Sequence, residues 1–133
     1  MSKIEKISKK LEEIVNKFME KRVPDETRED FIIAAIHFNI NLNACSKYDL
    51  MRIDHKAKEL AKAEENKILT IASIYSYMLY RALNNGEILP ENKLQVKSAL
   101  MGISTTITDY LTYRIDEESL NINLYNELSL LEI

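Results

Sequence analysis

KILTIASIYSYMLYRALNNGEILPENK, residues 67–93, is the stretch that decides the fold class. From Lys67 to Leu83 it is apolar and unbroken, and Asn84, Asn85 and Gly86 then supply residues that tolerate a left-handed backbone, the common geometry of a helix end. Pro90 follows. Proline has no place in a helix interior but suits a first turn, so it opens the next helix, which reads as reaching Arg114. Outward from there the pattern repeats. The 133 residues hold only two glycines and two prolines, and Pro24, Gly86 and Pro90 all fall between segments with helical periodicity. The chain reads as all-α, a compact bundle of five or six helices forming a single helical domain over residues 1–133. A chain of this length buries roughly two-thirds of its unfolded surface without disulfides or metal.

Residues 1–22 read as an amphipathic helix. Ile4, Ile7, Leu11, Ile14 and Phe18 recur at spacings of three and four, a heptad seam that Val15 and Met19 widen. That seam is expected to serve as an oligomer interface with a second copy, and its alternative is a helix laid on its own core. Residues 1–22 carry seven basic residues against four acidic, +3, whereas residues 116–133 carry five acids and no base, −5. Complementary ends suit terminal helices that pack beside each other, within one chain or between two.

Thr27 to Asp30 has the form of a capping box and starts a second helix. Its run Phe31, Ile32, Ile33, Ala34, Ala35, Ile36, Phe38 is apolar on every side, as in a helix surrounded by neighbours. Leu50, Ile53, Ala57, Leu60 and Ala61 trace one helical face, and nothing separates them from Lys67, so residues 47–84 read as one bent helix or as two. Asp116, Glu117 and Glu118 suit the amino end of a last helix, Leu120 to Leu130. Gly102, with Ser98 and Thr106 four residues away on either side, is expected where another helix comes close. Its β-branched neighbours (Ile103, Thr105, Thr106, Ile107, Thr108) argue for an irregular helix there.

Several chemistries find no carrier. His37 and His55 stand apart, one in an apolar run and one among charges, so neither a metal site nor a catalytic residue is expected. Cys45 has no histidine at helical spacing, and two distant glycines cannot build a phosphate loop. No cofactor and no small-molecule ligand are expected. The longest uncharged runs, Phe31 to Ser46 and Ile68 to Tyr80, are shorter than the ~20 apolar residues of a membrane span. With one cysteine and no apolar leader, a cytoplasmic location is expected.

One segment has a recognisable texture. Ala35, then Phe38, Asn39 and Ile40, then Asn41, Cys45 and Tyr48 follow in the order of small residue, apolar residue, turn residue, apolar residue, cap and buried positions. Residues 31–48 thereby resemble the helix-turn-helix DNA-binding motif. The resemblance implies that Asn39 forms the turn and that Asn41 caps a recognition helix. Asn41, Asn43, Ser46 and Lys47 would then face the bases and phosphates of double-stranded DNA. In the same window, Asp25 to Asp54, six acids face three bases, and Ser46 to Asp49 is a second capping box that would start a helix at Lys47. Two readings follow: a non-enzymatic DNA-binding accessory or regulatory protein, or a helical protein-interaction module, homo-oligomeric or with a protein partner. The helix start between Asn41 and Lys47 distinguishes them. A further pattern, Tyr-x-x-Tyr-Arg at Tyr77, Tyr80, Arg81 and again at Tyr110, Tyr113, Arg114, places aromatics beside arginine near two helix ends.

Overall fold

The computed structural model describes residues 3–43, 47–62 and 67–131, and within them six α-helices and no strand. They are α1 Lys3–Arg22, α2 Arg28–Asn41, α3 Lys47–Lys62, α4 Lys67–Asn84, α5 Lys93–Leu111 and α6 Glu117–Ser129. Among the described residues of the 47–84 segment lie α3 and α4, and the point between them falls outside the described residues. The last helix starts three residues earlier than its apolar pattern indicates, because Asp116 caps it: Oδ1 accepts the Ser119 amide at 2.8 Å.

Both prolines act in the same way. Pro24 and Pro90 each lead into a single 3₁₀ turn, Asp25–Thr27 and Pro90–Asn92, before the α-helix begins. The Thr27 to Asp30 capping box therefore does not form. The Thr27 hydroxyl donates instead to the Pro24 carbonyl at 3.0 Å, and α2 starts at Arg28 without a side-chain cap.

Helices α4 and α5 also end alike. After α4, Gly86 donates to Leu83 O and Glu87 to Ala82 O, with Gly86 at φ 71°. After α5, Tyr113 donates to Tyr110 O and Arg114 to Asp109 O, with Tyr113 at φ 63°. Both are Schellman closures, and the second puts a tyrosine where glycine is usual, which stops α5 at Leu111.

Helices α2, α4 and α5 pack on one another and form the centre; α1 lies on α4 and α6, α3 on α2 and α5, and α6 on α5. The core draws on every helix, from Leu11, Val15 and Met19 of α1 through Ile36, Ile53, Ala72 and Ile107 to Leu124 of α6. Because α1 lies beside α6, the basic and acidic ends meet within one chain.

Candidate functional site

A polar seam runs between the three central helices. Asn39 lies inside α2, fully buried, and not in a turn. Its amide nitrogen donates to Ala35 O at 2.7 Å and Ser73 O at 3.1 Å. Its oxygen accepts the hydroxyls of Ser76 and, at 3.0 Å, Ser104. One turn on, Asn43 donates to Asn39 O at 3.1 Å and to the Thr108 hydroxyl at 3.2 Å. The i, i+4 spacing of the two asparagines points both inward, toward α4 and α5.

The residues assigned to DNA therefore have unlike surroundings. Asn41 is exposed and is the last residue of α2; Asn43 is half-buried with its amide engaged by α5. Leu42 closes α2, and α3 begins at Lys47. Ser46 and Cys45 lie outside the described residues, as do the side chains of Lys47 and Tyr48. On α3, Asp54 joins His37 of α2 at 3.1 Å and Lys58 at 3.0 Å, and those two hydrogen bonds, Lys58's first, hold its carboxyl below the usual carboxylate range. His55 pairs with Glu59 on the surface. Among the described residues no three His, Cys, Asp or Glu side chains gather as a metal site would require. None of the described helices is long and apolar enough to cross a membrane.

The residues assigned to an oligomer seam also separate. Leu11 is fully buried in the chain's own core, Ile7 and Phe18 pack partly against it, and Ile14 stays 36% exposed; the Ile4 side chain lies outside the described residues. The inward face is Leu11, Val15, Met19, a row four residues apart that takes in Val15 and Met19 where the heptad seam placed Ile14 and Phe18.

A different surface is left apolar. On α5, Val96, Leu100, Ile103, Ile107 and Leu111 face inward, while Leu94, Ser98, Met101 and Thr105 form an outward stripe. Leu94 is 79% exposed and Met101 44%. Lys93, Lys97 and Asp109 are the only charges in the helix. Antiparallel α6 lies beside it, with exposed Leu130 just past its end, and Gln95 of α5 donates to Leu130 O, tying the two together. Between them runs a shallow groove of about 450 Å³. There Gly102 faces α6, as its small neighbours imply, but it meets the carboxyl group of Glu127 and not the backbone of another helix.

The two Tyr-x-x-Tyr-Arg sets differ in use. Tyr77 stacks edge-on with Phe31 and Phe38, under Arg81, while Tyr110 and Tyr113 flank the Lys56 ammonium of α3 at 5.1 and 4.8 Å. Compared with models of known protein families, with curated proteins and with solved structures, the chain matches none of them.

Proposed function

We propose that the chain is a non-enzymatic helical module that works through protein contacts, associating with a second copy through the outward face of α5 and α6. One observation carries the reading: Leu94 and Met101 stand exposed on a charge-poor stripe. Charged residues are depleted and Leu- and Met-sized side chains are buried at the centre of protein interfaces, whereas a solvated helix face is usually charged. The DNA reading, through Asn41, Asn43, Ser46 and Lys47, draws less support, because the Asn43 amide is already bonded to Thr108 and the surrounding window is acidic.

Light scattering over a range of concentrations tests the proposal. A dimer or higher species is expected, and Leu94→Glu with Met101→Glu should return it to monomer without changing the circular dichroism spectrum. A wild-type chain that stays monomeric at high concentration refutes it. Binding to mixed-sequence duplex in fluorescence anisotropy, weakened by Lys47→Ala with a salt slope lower by about one, would restore the DNA reading.

A further inference from the structure

Where the end of α1, the Val23–Thr27 link, the start of α2 and the last turn of α4 meet, they leave an open recess of about 350 Å³. Its apolar wall is Phe18 and Phe31, whose rings lie 6.0 Å apart, and the file continues edge-on into Tyr77 at 5.9 Å. A guanidinium closes each end of this file: Arg22 sits 5.3 Å from the Phe18 centroid and Arg81 5.9 Å from that of Tyr77. Both arginines line the cavity.

The charges around them are placed unexpectedly. Asp25, Glu26, Glu29 and Asp30 all lie in the adjoining turns, yet neither Arg22 nor Arg81 forms an ion pair with any carboxylate among the described residues. Of the four acids only Asp30 lines the cavity, so its wall carries two cations against one anion. A guanidinium lying over a ring is held in orientation while its edge N–H groups stay available, and that edge matches the two oxygens of a carboxylate or phosphate. Rings for a flat body and two forks for an oxyanion stand in one recess.

We propose that this recess binds a small aromatic oxyanion, a carboxylate or phosphate borne on a one- or two-ring body, with the guanidinium at one end of the ring file, Arg22 or Arg81, holding the anion and Phe18 and Phe31 the ring. The site shares no lining residue with the α5–α6 groove.

The chain has no tryptophan, so naphthalene fluorescence can report binding directly. Titrations at fixed ionic strength compare 2-naphthoate, 2-naphthyl phosphate and uncharged 2-naphthamide. At least one anion should saturate and bind about tenfold tighter than the amide, as a charge-assisted bidentate contact would give, and the tighter of the two anions identifies the oxyanion. One of Arg22→Gln and Arg81→Gln, each checked by thermal melting, should weaken the anion by about tenfold and leave the amide unchanged, and Arg22→Lys or Arg81→Lys at that same position should recover part of the loss. Asp30→Asn, an exposed change that does not depend on either arginine variant folding, should tighten the anion several-fold. Equal binding of anion and amide, no saturation by either anion, or unaltered affinity in Asp30→Asn and both glutamine variants overturns the proposal.

Discussion

Replacing Asn39 by leucine tests whether the polar seam holds the bundle together. Asn39 is fully buried and bonded four times, to Ala35 O, Ser73 O, Ser76 and Ser104. Leucine has a similar shape and ends all four bonds. The consequences are unequal. Ser76 retains an acceptor in Ser73 O at 3.0 Å, whereas Asn39 is the one acceptor described for the Ser104 hydroxyl. One buried donor is left unpaired, which costs roughly 1–3 kcal/mol, so Asn39→Leu should destabilise by about 2 kcal/mol. In thermal denaturation followed by circular dichroism that is a fall of about 8 °C for a domain this size. Ser104→Ala alone should cost about 1 kcal/mol, since Asn39 keeps Ser76. Combined with Asn39→Leu, it should restore stability, because no unpaired donor remains, giving a coupling of about 3 kcal/mol between the two positions. Strictly additive effects, or a more stable Asn39→Leu, would refute the reasoning and reduce the seam to a tolerated polar inclusion.

At the end of α5, Tyr113 holds a left-handed backbone that costs a side-chain-bearing residue about 1 kcal/mol, so Tyr113→Gly should be about 1 kcal/mol more stable than Tyr113→Ala in urea denaturation. Equal stabilities would show that the closure is not strained. Gly102→Ala should raise stability by about 0.5–1 kcal/mol, because Glu127, a flexible side chain, swings aside while helix propensity improves; Gly86→Ala, at φ 71°, should lower it by about 1 kcal/mol. Opposite signs in one melting experiment check both. The Ser119 amide holds the Asp116 carboxyl below its ordinary range, so the cap contributes stability above the unfolded-state pKa, and that contribution is lost as pH falls through the folded one. An acid titration of the melting temperature should therefore decline less steeply below about pH 4 in Asp116→Asn than in wild type.

The α1–α2 and α4–α5 boundaries were legible because Pro24, Gly86 and Pro90 mark them, while the helix number stayed at five or six because no proline or glycine separates residues 47–84. Boundaries set by other means were not. Tyr113 ends α5 in a conformation that favours glycine, and no local signal announces a tyrosine there. The heptad in α1 gave Ile14 the same weight as Leu11, although a helix of period 3.6 turns Ile14 toward the rim and brings Val15 and Met19 inward. Asn39 read as a turn residue and Asn43 as a base contact; in a helix, positions 39 and 43 share a face, and their partners on α4 and α5 lie 34 to 65 residues away. The arginine-lined recess draws on α1, α2, α4 and a link, so no contiguous stretch contains it.

The hydroxyl groups of α5 bear on how this chain can change over generations. Thr106, Thr108 and Thr112 each donate back to a carbonyl four residues earlier in their own helix, at 2.8, 2.8 and 2.9 Å, and Ser73 does the same in α4. A hydroxyl satisfied within its own helix asks nothing of its neighbours, so exchanges of Thr106 and Thr112 with valine or alanine should drift singly among descendants of this sequence. Asn39 and Ser104 sit on different helices, and the acceptor described for the Ser104 hydroxyl is Asn39, whereas Ser76 also bonds within α4. Asn39 and Ser104 should be kept or replaced together, leaving a two-position covariation as the fold's inherited signature.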